Sequence, residues 1–143
     1  MHILMCNDDG ILADGLRHLA SYLSQYYRIT VVAPANEQSA KSHALTTEIP
    51  LKLDAYNGED ENPRLYALTG TPSDCMKFGL SYLLIDDMPD LVISGINHGF
   101  NLGSDVLYSG TVSAAMESCF YGIPGLALSV ERYSPERGDE MHP

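Results

Sequence analysis

The chain has 143 residues, 45% apolar and 19% charged, which is enough apolar material for one hydrophobic core and rules out a disordered chain. Eight Lys and Arg stand against nineteen Asp and Glu, a net charge of −11 with no basic run to offset it, which argues against duplex nucleic acid and anionic membrane surfaces as broad partners. A small anionic substrate would need a bound cation or well-aimed amides to hold it.

Ile3 to Cys6 is a short apolar run that ends in Asn-Asp-Asp-Gly, after which Leu16, Leu19, Ala20 and Leu23 recur at helical spacing. The pattern predicts strand, acidic turn, helix. Ile29 to Ala33 is β-branched and continuous, as in a strand buried on both faces, and Pro34 ends it. A loop rich in Asn, Ser and Ala runs from Ala35 to about Leu45. Ile49, Leu51, Leu53 and Ala55 alternate with polar residues, which predicts a strand wet on one face, followed by a turn at Asn57-Gly58. An acidic loop, Glu59 to Glu61, leads to a further strand from Leu65 to Leu68.

Thr71-Pro72-Ser73-Asp74 combines an N-cap residue, proline at the first helical position and an acid three residues after the cap, which predicts a helix to about Leu84. Leu91 to Ile96 is another buried strand, and the loop from Asn97 to Gly103 is rich in glycine and asparagine. Ser109-Gly110-Thr111 opens a helix whose apolar face is Val112, Ala115, Met116, Cys119 and Phe120, and Ile123 to Val130 reads as a last strand. Alternating strands and helices predict one α/β domain over residues 1–130 with a mostly parallel sheet, the hairpin-like middle section being the part free to depart from it. Ligands of such folds bind at the carboxyl ends of the strands, so the three loops bearing acids, asparagines and Ser109 should share one rim.

Cys6, Cys75 and Cys119 are far apart and form no C-x-x-C pair, which argues against a disulfide framework and a zinc knuckle and fits a reducing, cytoplasmic setting. The N-terminal apolar run meets acids at once and is neither a signal sequence nor a membrane span. Residues 131–143 turn polar, with Pro135 and Gly138, and supply no closing element, as in a chain cut short.

Two neighbouring carboxylates repel unless a cation intervenes, so Asp8 and Asp9 suit a hard divalent metal; equally, one of them could cap the following helix or face solvent. Asn97 and Asn101 carry neutral amides that can ligate a metal through oxygen or bind a phosphoryl oxygen, or make turns as Asn commonly does. The helix start at Ser109, Gly110 and Thr111 presents amides and the positive end of the helix dipole, a seat for phosphate, and is also an ordinary N-cap. Ser39 stands out only by its position after the second strand. The histidines show no metal-ligand spacing, and only His98 falls in a candidate loop.

Five ordered segments carry a family resemblance: Asn7 to Gly10, Ser39 after Val-Val-Ala-Pro, Gly70 to Cys75, Ser94 to Gly103, and Tyr108 to Glu117. Together they resemble the survival protein E (SurE) family of metal-dependent nucleotidases over roughly residues 1–130. The resemblance implies a Rossmann-like, doubly wound sheet with helices on both faces. It implies removal of phosphate from nucleoside monophosphates at the 5′ position, with the 3′ position as a second candidate, and one divalent cation, Mg²⁺ or Mn²⁺, per subunit; some members also accept short polyphosphate. Its metal ligands map onto Asp8, Asp9, Ser39 and Asn97, with Asp8, Asp9 and Asn97 also carrying the chemistry. Asn101, Ser109, Gly110 and Thr111 correspond to its phosphate contacts. Family members continue into a C-terminal segment that builds a dimerisation arm, and that segment is absent here, although the full-length family implies a homodimer or tetramer.

A covalent aspartyl-phosphatase would need an acid two residues after the nucleophile, where Gly10 stands. A phosphorelay receiver would need an acid after the middle strand, where the chain reads Ser94-Gly95-Ile96-Asn97. The non-enzymatic alternative is a metal- and nucleotide-binding module, or a truncated domain without turnover.

Overall fold

The computed structural model describes residues 1–38 and 43–131. Strand β1 (His2–Cys6) runs into helix α1 (Asp14–Leu23) and strand β2 (Arg28–Pro34), each where the apolar pattern places it. Short strand β3 (Leu53–Ala55) and strand β4 (Arg64–Leu68) precede helix α2 (Pro72–Phe78). Strand β5 (Leu91–His98), a 3-10 turn (Gly103–Tyr108), helix α3 (Gly110–Cys119) and strand β6 (Gly125–Val130) complete it.

The strands form one sheet in the order β3-β4-β2-β1-β5-β6, parallel except for β3. Alternation along β1 divides the core. Ile3 and Met5 pack with Leu16 and Ala20 of α1 on one face, while Leu4 and Cys6 pack with Cys75, Met76 and Ala114 of α2 and α3 on the other. Helices therefore cover both faces, which is why β1, β2 and the first half of β5 read as continuous apolar runs. Burial of each large aliphatic side chain there contributes about 1.5–3 kcal/mol.

The sheet order reverses at β1. From β1 the chain builds outward through β2 to β4, then crosses back to lay β5 on the other side of β1. Diverging crossovers leave a crevice at the carboxyl ends of these two central strands, the place where open α/β sheets bind ligands.

The middle section corrects three expectations. It does not leave the sheet: β3 is its antiparallel edge, with Leu53 opposite Leu68 and Ala55 opposite Tyr66. The strand expected over Ile49 to Ala55 also contracts to three residues, because Pro50 has no N–H for a ladder and Ile49 stands 66% exposed. Asn57-Gly58 makes no two-residue turn. The Asn57 side chain instead donates to the Pro63 carbonyl (2.7 Å) and accepts from the Leu65 amide (2.8 Å), closing a longer loop.

The capping box at the start of α2 is present as read: Thr71 Oγ1 accepts from the Asp74 amide and Asp74 accepts from the Thr71 amide. The helix continues as a π-helical turn over Gly79–Leu83, closed by the Leu84 amide on the Gly79 carbonyl (2.9 Å). At Gly79 a Cβ would come within 3.3 Å of Leu4, so a bare backbone lets the helix settle on β1.

Among the described residues the three cysteines are free, Cys6 and Cys75 buried and Cys119 exposed. Burial, reinforced by the neighbouring Cys6, pushes the Cys75 thiol well above its ordinary pKa. That keeps it protonated and inert. No helix among the described residues is long and apolar enough to cross a membrane.

At the opposite, amino-terminal edge of the sheet, His2 is 3% exposed with Nε2 2.9 Å from Thr30 Oγ1. Desolvation, then the Arg28 guanidinium, lower its pKa below 6.5 against the opposing pull of Asp87. The unfolded chain thus takes up a proton at His2 before the folded chain does. The stability contributed by neutral His2 is complete above the unfolded value and is lost as pH falls towards the folded one. Melting temperature should therefore drop more for the unmodified protein than for His2→Gln between about pH 7.5 and about pH 5. Parallel thermal melts check this, and equal slopes would contradict it.

Candidate active site

The acidic turn after β1 is built by Asn7. Its side chain, fully buried, accepts from the Gly10 amide and donates to the Gly10 carbonyl, both at 3.1 Å. Gly10 closes the turn at φ +101°, where a side chain would be strained and a Cβ would press on the Pro34 carbonyl at 3.3 Å. Asp8 and Asp9 are thereby held at the carboxyl edge of β1. Asp8 is 6% exposed, and Asp9 is half-buried with its Oδ2 out of solvent.

Helix α3 starts against this turn. A Cβ at Gly110 would lie 2.9 Å from Asp8 Cβ, 3.1 Å from Pro72 Cγ and 3.3 Å from Asp8 Oδ2, so a bare glycine lets α3 start against the Asp8 and Pro72 side chains. Thr111 Oγ1 donates to Asp8 Oδ1 at 2.7 Å across 103 residues of sequence. Ser109 is the N-cap, its Oγ accepting from the Val112 amide at 3.2 Å. Capping takes only the third amide of the helix, and helix geometry gives the Gly110 and Thr111 amides no acceptor within the helix. The acid pair and the helix start expected to share a rim are thus in contact.

Asn97 arrives by a different device. Cys6 of β1 is in register with Ser94 of β5, so the two strands reach the same edge side by side. Between Ser94 and Asn97, β5 carries one residue more than β6, the pairing passing from Ser94–Ala127 to Asn97–Ser129. This bulge returns Asn97 to the parity of Ser94 instead of the opposite face. Gly95 sits in it at φ +131°, where a Cβ would collide with the Leu128 carbonyl. Asn97 Nδ2 donates to the Gly99 carbonyl (2.9 Å), which turns the strand end over.

Asn101 makes its contact at β6, donating to Ser129 Oγ at 2.8 Å. His98, read as a loop residue, is the last residue of β5, and its ring lies near the start of α1 at Gly15. Ser39 lies outside the described residues; just before it, the Gln38 amide donates to the Asp8 carbonyl at 2.7 Å.

Two buried carboxylates near this edge escaped the sequence reading of the site. Glu117 of α3 pairs with His43 at 2.6 Å, and Asp74 accepts from the Thr46 amide (2.9 Å) and the Thr46 hydroxyl (2.7 Å) as well as from Thr71. Thr71 Oγ1 also donates to the Ala44 carbonyl at 2.6 Å. The chain from His43 to Thr46 is thus tied to both helices. Hydropathy hid Glu117, because the expected apolar face of α3 is corrected here: Met116, Cys119 and Phe120 stand exposed, and the buried side carries Thr111, Ser113, Ala114, Glu117 and Ser118.

No group of three or more His, Cys, Asp or Glu that could hold a metal occurs among the described residues. Asp8 and Asp9 supply the charge and Asn97 a neutral carbonyl, which suits a hard cation in a chain of net charge −11.

A family model described as "Survival protein SurE" matches residues 3–142. The chain is 54% identical over 129 residues to a 5′-nucleotidase SurE of Thermoanaerobacter sp. (strain X514), covering 90% of this chain and 50% of that protein. It is 50% identical over 130 residues to the 5′-nucleotidase SurE of Vibrio vulnificus (strain YJ016), covering 91% and 49%. It also superposes on the crystal structure of the SurE protein from Aquifex aeolicus with a TM-score of 0.79 and 43% identity, over 90% of this chain and 50% of that one. The chain spans about half the length of the curated relatives it matches.

Proposed function

Because this chain belongs to the survival protein SurE family, we propose that it carries the phosphomonoesterase centre of a nucleotidase acting on nucleoside monophosphates. The observation that carries this reading is the contact of Asp8 with the first turn of α3 at the sheet's reversal point, which sets an acid pair beside two helix-start amides. A carboxylate pair can bind a cation and handle a water proton, and amides at a helix start accept phosphoryl charge.

Asp8, Asp9, Ser39 and Asn97 would hold one divalent cation, Mg²⁺ or Mn²⁺ by the hardness of these donors. When bound, it supplies charge neutralisation at the phosphoryl group and acidifies water. The remaining work belongs to the chain. The Gly110 and Thr111 amides bind phosphoryl oxygens, and the fixed helix start costs no reorganisation as charge shifts to the leaving oxygen. Asp9, less buried than Asp8 and next to it, orients the attacking water and takes its proton. Asn97, turned by the β5 bulge, closes the site on the side of β5, and Asn101 extends it towards β6 and a nucleoside. The 3′ position and short polyphosphate fit the same phosphoryl seat. The free cysteines support a reducing, cytoplasmic setting.

The test is phosphate release from a panel of nucleoside monophosphates with Mn²⁺, with Mg²⁺ and with chelator. Release that requires the metal and stops on chelation is expected. Metal-independent release would defeat the assigned site, and metal-dependent nucleotide binding without release would make the chain a binding module.

A further inference from the structure

The family resemblance places Thr111 among the phosphate contacts, yet its hydroxyl is already committed elsewhere. Thr111 is fully buried in the seam between α3 and the sheet, and its single O–H proton goes to Asp8 Oδ1 at 2.7 Å. A threonine hydroxyl has one proton to give, and its remaining lone pairs repel phosphate oxygens. While that bond stands, the side chain has nothing to offer a phosphoryl group; only the backbone amide of Thr111 does.

The same contact does something specific to Asp8. A short O–H to carboxylate bond fixes the rotation of the carboxyl group, and the bare Gly110 keeps space open beside Oδ2, where a Cβ would come within 3.3 Å. Asp8 is therefore locked in one orientation with Oδ1 engaged by protein. We propose that Thr111 is a positioning residue for Asp8, dividing the labour of its two oxygens so that Oδ1 is anchored and Oδ2 is the cation's ligand.

This rests on the reading of Asp8 as a metal ligand. Hydroxyls that orient ligating carboxylates commonly carry a 10–100-fold share of metal affinity, roughly. Direct phosphate contacts carry none.

Thr111→Val keeps the shape and removes the proton; Thr111→Ser restores the proton. Mn²⁺ binding to the full chain is measured by titration calorimetry without substrate, and competition by inorganic phosphate is measured at saturating Mn²⁺. Thr111→Val should bind Mn²⁺ roughly 10–100-fold more weakly, with Thr111→Ser within about 3-fold of the unmodified chain and phosphate competition unchanged in both. Unchanged Mn²⁺ affinity in Thr111→Val with weakened phosphate competition would overturn the proposal and return Thr111 to the substrate. Equal loss in both variants, with lowered melting temperature, would overturn it in favour of simple packing. Asp8→Asn is the control that separates the two layers: if it too leaves Mn²⁺ binding intact, the metal site itself is misplaced.

Discussion

Asp9→Asn is expected to lower metal-dependent phosphate release by at least about 100-fold, the several kcal/mol that a correctly held cation contributes to a phosphoryl-transfer barrier. The same substitution should leave the metal-free protein as stable as before, or more so. Asparagine keeps the volume and hydrogen-bonding reach of aspartate, and removing one of two adjacent charges relieves the repulsion between them in a chain of net charge −11. The pair is held together by covalent adjacency and by the Asn7–Gly10 turn, whose two 3.1 Å hydrogen bonds involve neither carboxylate. A residue that is costly to the empty fold and indispensable to turnover is the signature of a functional group, and opposite signs in the two measurements would show it. Asp8→Asn should behave alike in activity, but with less relief of the fold because Asp8 Oδ1 also receives the Thr111 hydroxyl. Phosphate release and a metal-free thermal melt on each variant settle the matter. Retained turnover in both would remove the acid pair from the chemistry.

How far the chain could be read in advance depended on the range of the interactions involved. Continuous β-branched runs marked β2 and the first half of β5 because burial on both faces is a local demand on composition. The capping box at Thr71 and Asp74 and the N-cap at Ser109 were legible because each closes within three residues. The failures are all non-local or hidden in backbone geometry. Alternation from Ile49 to Ala55 promised a long strand, but an edge strand forms only as far as its one neighbour reaches, and β4 offers partners only from Tyr66 to Leu68. The β5 bulge at Gly95, which decides where Asn97 faces, was visible only as a glycine in a strand. Thr111 meets Asp8 across 103 residues and His43 meets Glu117 across 74, and no local pattern announces either.

Asp74→Ala is the second large effect, and it falls on the scaffold. The carboxylate looked like half of a capping box, a contribution of about 1 kcal/mol. In the fold it is 4% exposed and accepts three hydrogen bonds, from the Thr71 amide and from both the amide and hydroxyl of Thr46, 28 residues away. Alanine would leave all three donors behind without their acceptor. Hydrogen bonds to a charged acceptor are worth about 1.5–3 kcal/mol each and are not additive, so a total loss of about 3–5 kcal/mol is expected. For a chain of this size that lowers the melting temperature by on the order of 10 °C. Thr46→Val should cost less, since it removes one of the three bonds and keeps the backbone one, and the double variant should lose less than the sum. A coupling of about 0.5–3 kcal/mol in that cycle is the mark of a shared network. Amide exchange at Thr46 should rise towards that of an open loop in Asp74→Ala, because the described ties of the chain from His43 to Thr46 to the helices would fall back to the Glu117 pair, the His43–Phe120 ring contact and the Thr71 hydroxyl. A loss below about 1 kcal/mol, with Thr46 still protected, would reduce Asp74 to an ordinary cap.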